Sequence, residues 1–326
     1  MGVTLTKPLT IDAAAGTRRV AQRSVHKLNA DQVLLTGWRR LADNCFVVTA
    51  GWPGDHPFYA VRGGRHDPLL LSETVRQSFP LLSHHAYDVP FGHHLVWDTY
   101  AWRLNPAALW ADGSPAGIEL HVSAREVVHR RGSVVVLALD YEILRDGMPL
   151  ATAESRFTVQ APAVYRRLRG SHADPAAVRP IPVPPAIPAG PAGRDRSADV
   201  VLAPTGSARR WQLRVDTGHR ALFDHPVDHV PGMLLLEAAR QAAHVVDGRP
   251  SAVVTGMETR FLRYAELDAP AWIEARETGR DAAGRPTLSV TGTQDGHELF
   301  DCAVTLDTGG PQHPQGEWPD SRLPGV

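Results

Sequence analysis

A helix that is apolar on every side, yet carries Glu, Arg and Gln on one face, constrains a fold severely. This chain contains such a pattern twice. Residues Met233 to Val246 lack Gly and Pro and are dominated by Leu and Ala, so helix propensity is high. Apolar side chains fall on nearly every side, as in a helix buried all round. Glu237, Arg240 and Gln241 nevertheless stand in its first turns at i, i+3 and i+4, on one face. A buried carboxylate and guanidinium are costly unless they are paired or put to use. The stretch from Asp67 to Ser78 matches without gaps, placing Glu73 on Glu237, Arg76 on Arg240 and Gln77 on Gln241. Each copy has His-Pro upstream, His56-Pro57 and His225-Pro226. A repeat of this size predicts two related domains in one chain, and 326 residues suffice for two cores.

Taken in order, residues 1–24 are polar and mixed and predict a loose arm. Cys45 to Trp52 is rich in β-branched and aromatic residues and predicts a strand. The first central helix is expected at 67–86, kinked by Pro80 or ended near Phe79, and the second at 231–247. Strands follow each helix, and Asp146-Gly147 and Asp295-Gly296 signal hairpins. Between the halves, Arg179 to Pro188 holds five prolines, which favours extended chain and excludes helix. The expected organisation is an N-terminal domain at 25–162, a Pro-rich linker at 163–199, a C-terminal domain at 200–308 and a flexible tail at 309–326. The expected fold is α+β: two hotdog domains, each a curved antiparallel sheet wrapped around a long central helix, forming a pseudo-dimer within one chain.

Net charge is −1, so charge balance gives no sign of a nucleic-acid partner. The basic run Arg166-Arg167-Leu168-Arg169 reads as solvated surface. The two cysteines, Cys45 and Cys302, lie in apolar strand-like runs and are expected as free thiols. The N-terminus lacks an apolar signal core, and no apolar run approaches ~18 residues, so no membrane span is expected and the location is expected to be cytoplasmic. His84-His85 and His93-His94 are adjacent pairs whose side chains diverge, and no zinc spacing, Gly-rich phosphate loop or Rossmann fingerprint is present. No metal or other cofactor is expected.

Asp228 to Gln241 resembles the loop-Pro-Gly-helix-Glu motif of the hotdog dehydratases of fatty acid synthesis. A closer resemblance spans the chain. Val25-His26-Lys27, Val33 to Trp38, Asp67 to Leu70 with Glu73-Thr74-Val75-Arg76-Gln77, Val89-Pro90 and Phe223 to Met233 are similar to the A-factor biosynthesis hotdog family. That resemblance implies transfer of a β-ketoacyl group from an acyl carrier protein (or CoA) thioester to the hydroxyl of dihydroxyacetone phosphate. The product would be the precursor of a γ-butyrolactone, furan or butenolide signalling molecule.

Such a transfer needs a base for the hydroxyl proton, donors for the oxyanion and a cation for the phosphate. Glu73 and Glu237 are the candidate bases, with burial expected to raise their pKa values. Backbone N–H groups near Gly232 and Met233, at the start of the second helix, are the candidate oxyanion site. Arg76 and Arg240 are the candidate phosphate forks. Gln77, Gln241, His56, His225 and His229 are expected around the substrate, as ligands or as braces of the helix pair and loops. A dehydratase or thioesterase acting on acyl thioesters, and an acyl-binding module without catalysis, are the alternative readings.

Overall fold

The computed structural model describes residues 20–249 and 251–309. Two central helices, α1 (Leu69–Ala86) and α3 (Gly232–Asp247), are each followed by antiparallel strands. The first unit contains β1 (Leu35–Ala42), β2 (Cys45–Trp52), β3 (His94–Leu104), β4 (Ala116–Arg130), β5 (Ser133–Arg145) and β6 (Met148–Gln160). The second contains β7 (Leu202–Ala203), β8 (Arg210–Leu213), β9 (Val253–Phe261), β10 (Ala271–Arg280), β11 (Pro286–Gln294) and β12 (His297–Asp307). They join in one twelve-stranded sheet of order β1-β2-β4-β5-β6-β3-β9-β12-β11-β10-β8-β7. The seam between units is the antiparallel pair β3–β9, with Thr99 opposite Arg260 and Arg103 opposite Gly256. The arrangement is the double hotdog expected.

Local chemistry explains the elements. Asp146 and Gly147 both take positive φ, as do Asp295 and Gly296, which gives each hairpin the turn twist its strands require. Every residue of α3 from Met233 to His244 is buried. Sheet hydroxyls hold α1: Tyr100 on β3 bonds Ser72 at 3.2 Å, and Tyr141 on β5 lies 3.0 Å from Ser78. Pro80 neither ends nor breaks α1, which continues to Ala86. Burial of its apolar face outweighs the lost backbone bond, and the Arg76 carbonyl loses its usual donor there.

Other differences concern segments read as loose. Gln22–Val25 forms a 3-10 turn with Ser24 and Val25 buried, so the end of the expected arm belongs to the core; residues 1–19 lie outside the described residues. The interdomain segment contains α2 (Pro162–Arg169), which starts on a proline at a position that needs no N–H donor, and 3-10 turns at Gly170–Ala173 and Ser197–Asp199. Between those turns residues 178–188 are extended, tied by the Ile181 N–H to the Leu267 carbonyl and by the Ile187 N–H to the Leu202 carbonyl, with further turns at 175–177 and 189–193. The expected tail, 309–326, lies outside the described residues beyond Gly309. Cys45 and Cys302 are free thiols. Among the described residues no helix is long and apolar enough to cross a membrane, and no cluster of metal-ligating side chains occurs.

Candidate active site

A cavity of about 690 Å³ lies between the first turns of α1 and the loop that enters α3. Its walls come from both units: Lys27, Glu73, Arg76 and Trp97 from the first, His225, His229 and Gly232 from the second.

Glu73 is buried but reaches this cavity. Its Oε1 takes Lys27 Nζ at 2.9 Å and Gln77 Nε2 at 2.8 Å, and Arg76 Nε stands 3.4 Å from both oxygens. Burial pushes its carboxyl upward, but Arg76, Lys27 and Gln77 outweigh it and hold the pKa at about 2. The expected upward shift is therefore reversed. Lys27 is itself lowered by burial, partly countered by Glu73. The Arg76 side chain remains 23% exposed, so its fork is free to turn toward a ligand.

The second copy of the motif is closed. Glu237 is fully buried and does not line the cavity. Arg194 grips it bidentately at 2.7 and 2.6 Å, and Arg240 does so at 2.9 and 2.7 Å. Arg194 also bonds Asp67 at 3.1 Å and the Phe58 carbonyl at 2.8 Å. Burial raises the Glu237 carboxyl, yet Arg194 and Arg240 pull it well below the usual carboxylate range. Arg240, expected to bind phosphate, is spent on this pair.

The two clusters correspond residue by residue. Gln77 accepts from the Leu34 N–H and donates to the Gln32 carbonyl; Gln241 accepts from the Val201 N–H and donates to the Asp199 carbonyl. Both glutamines brace their helices and neither lines the cavity. Lys27 precedes Leu34 by as many residues as Arg194 precedes Val201, so these two cations are counterparts.

The helix starts differ in the same sense. At α1 the Asp67 carboxylate caps the Leu69 N–H at 2.9 Å. At α3 no side chain caps the helix, and among the described residues the Gly232 and Met233 N–H groups have no partner. An uncapped helix start favours a negative charge. Glycine is required at 232 because an added Cβ would stand 2.9 Å from Trp97, which is stacked on Phe261 and Tyr100.

His229 stands in the loop before α3 with Nδ1 2.7 Å from Asp228, and Nε2 has no partner among the described residues. Asp228 also accepts from Tyr165 at 2.7 Å and from Arg169 at 3.1 Å, and Arg169 continues to Glu266 at 2.5 Å. Burial raises Asp228, but His229, Tyr165 and Arg169 pull it far down, so it stays ionised beside the imidazole. His225 also lines the cavity, 3.7 Å from Asp224. His56 does not: it is buried, and its Nδ1 accepts the N–H groups of Phe58 and Tyr59 at 3.2 and 3.0 Å, which fixes that loop.

Lys27, Arg194 and the Tyr165–Asp228–Arg169 brace were not anticipated as site residues. One signal was present for Lys27: of 34 basic residues only Lys7 and Lys27 are lysines.

Residues 10–161 and 176–308 match the A-factor biosynthesis hotdog domain. A Streptomyces virginiae protein named 2-oxo-3-(phosphooxy)propyl 3-oxoalkanoate synthase is 42% identical over 88% of this chain and 97% of its own length. A protein of the same name from Streptomyces coelicolor is 44% identical over 85% of this chain and 88% of its own. Among solved structures, a Lactobacillus plantarum protein assigned provisionally as an oleoyl thioesterase has a TM-score of 0.53 at 14% identity. The match covers 82% of this chain and 97% of that one, and it bears on the fold alone.

Proposed function

The chain belongs to the A-factor biosynthesis hotdog family, and on that premise we propose that it moves a β-ketoacyl group from a thioester to the hydroxyl of dihydroxyacetone phosphate. The product is a 2-oxo-3-(phosphooxy)propyl 3-oxoalkanoate, the compound in the names of the relatives at 42% and 44% identity. One observation carries the reading beyond kinship. The cavity-lining Glu73–Arg76 pair of one unit shares that cavity with the uncapped helix start of the other. The chemistry needs a carboxylate, a cation and oxyanion donors in one place.

The roles follow from position. The thioester carbonyl points at the Gly232 and Met233 N–H groups, which meet the oxyanion. Arg76 holds the acceptor phosphate through its fork. Glu73 takes the hydroxyl proton as the new C–O bond forms. When the C–S bond breaks, the thiolate leaves as a thiol, taking the proton that His229, held through Nδ1 by Asp228, relays from Glu73. His225 lines the acceptor end. The donor is an acyl carrier protein or CoA thioester, and a cytoplasmic setting supplies both substrates. We place the working site in the first copy of the repeat, with the second unit beginning upstream of residue 200 so as to include Arg194.

The test is direct. The protein is incubated with a β-ketoacyl thioester and dihydroxyacetone phosphate, and the phosphorylated ester is sought by mass. Release of free β-ketoacid without ester would make it a thioesterase.

A further inference from the structure

In the resting site Glu73 is held too acidic, at about 2, to take a proton from an alcohol. The groups that hold it are also those a phosphate would seek. From the segment before β1 comes Lys27, and from α1 come Arg76 and Gln77. His56 and Tyr59 face it from the loop after β2. Asp224, which accepts the N–H groups of Leu28 and Asn29, acts on Lys27 from beside it, and His26 and His225 lie near Arg76. Lys27 and Arg76 both pair directly with the Glu73 carboxylate, and among the described residues with no other. In the closed copy, Arg194 and Arg240 are balanced by Glu237 and Asp67. The open cluster therefore has one directly paired carboxylate for its two cations where the closed one has two, Asp224 acting on Lys27 without pairing with it. It also holds the only lysine among the described residues, where its counterpart is arginine. A lysine makes one flexible contact that can be surrendered; the guanidinium of Arg194 locks both carboxylate oxygens.

We propose that Lys27 is the switch of this site: the acceptor's phosphate draws Lys27 and Arg76 away from Glu73, and only then is the carboxylate free to act as a base. This rests on the acyl-transfer reading. Two effects work in one direction once the phosphate is seated. Glu73 loses its cationic partners while still buried, and it gains a dianion as neighbour, both of which favour its protonated form. The base is thus absent when the acceptor is absent, so water is not activated against the bound thioester. Specificity for a phosphorylated acceptor, and suppression of hydrolysis, come from the same exchange of anions.

The experiment uses the whole chain with a β-ketoacyl thioester and four acceptors: dihydroxyacetone phosphate, dihydroxyacetone, dihydroxyacetone with inorganic phosphate, and water alone. In the wild type, added inorganic phosphate should stimulate transfer to dihydroxyacetone. In Lys27→Met, hydrolysis without acceptor should rise at least ~10-fold, and KM for dihydroxyacetone phosphate should rise by a similar factor. In Lys27→Arg, transfer and hydrolysis should both fall. Calorimetry of dihydroxyacetone phosphate binding at pH 7 in buffers of different ionisation heat should report uptake of a fraction of a proton, since the raised Glu73 carboxyl approaches neutrality but stays mostly ionised as a base must, and this uptake should be lost in Glu73→Gln. The switch is overturned if Lys27→Met hydrolyses no faster than wild type, or if the uptake persists in Glu73→Gln. Should Lys27→Met fail to fold, Lys27→Arg and the wild-type calorimetry decide. If the wild type forms no ester at all, the acyl-transfer reading fails; if it forms ester and the Lys27 variants match it, only the switch fails.

Discussion

Replacing each repeat glutamate by glutamine should separate the two sites, because the same near-isosteric change meets different surroundings. In Glu237→Gln, among the described residues, Arg240 loses its sole ion-pair partner and Arg194 keeps only Asp67. All of these side chains are at least nine-tenths buried, so the loss is that of a broken interior pair, about 3–5 kcal/mol. For a chain of this length that corresponds to a fall in melting temperature of roughly 4–8 °C. Turnover of the folded fraction should be unchanged. In Glu73→Gln, Arg76 can turn to water and Lys27, already lowered by burial, can shed its proton, so stability should change little. Turnover should fall about 10²–10⁴-fold, as expected for loss of an acid–base group. The pH dependence supplies a sign. The folded Glu237 carboxyl is depressed, so its stabilising effect is present above the unfolded value of about 4.3 and is lost as pH falls below it. The melting gap between wild type and Glu237→Gln should therefore narrow below about pH 4. Thermal unfolding and steady-state kinetics on both variants suffice. A Glu237→Gln protein that melts like wild type but has lost turnover would refute the assignment of the second copy as structural.

Three further outcomes are expected. Arg76→Lys should raise KM for dihydroxyacetone phosphate and leave kcat much less affected, because the bidentate fork is lost while the charge stays; an unchanged KM would place the phosphate elsewhere. Gly232→Ala should cost roughly 1–3 kcal/mol by overpacking against Trp97, read by urea denaturation, and an unchanged midpoint would mean the ring has room to move. Arg169→Met should free Asp228 and Glu266 at a cost of about 3 kcal/mol, the low end because Glu266 is partly exposed. Faster hydrogen exchange across residues 224–231 would check it.

Much of the fold was legible because it is locally encoded. Helix positions, hairpins and the pairing of two units follow from patterns within a few turns of chain. Placement of α1 was right to within two residues at its start, and only Pro80 misled, since a proline inside a buried helix is tolerated where packing outweighs one backbone bond. The site was half legible. Glu73, Arg76, His225, His229 and Gly232 converge on one cavity, while Glu237, Arg240, Gln77, Gln241 and His56 are turned into the scaffold. The repeat could not show this, because the difference lies in residues outside it. Lys27 and Arg194 stand in irregular segments without periodicity, and their positions are set by tertiary packing. The sign of the glutamate shifts was misread for the same reason, since burial alone raises a carboxyl and only the converging cations reverse it.

Asp67 at the start of α1, held by Arg194, has a consequence for stoichiometry. Two identical hotdog subunits would carry two equivalent clefts by rotational symmetry, and any change to one would be imposed on the other. Here the place beside Glu237 that corresponds to the cavity end of Glu73 is filled by the chain's own Asp67 carboxylate and Arg194 guanidinium. Fusion thus divides the labour: one copy of the motif supplies a rigid, self-neutralised counterpart, and the other is at liberty to alter the residues that line the cavity. Each polypeptide should accordingly hold one acyl chain, and a binding titration with a non-hydrolysable β-ketoacyl thioester analogue should saturate at one equivalent per chain.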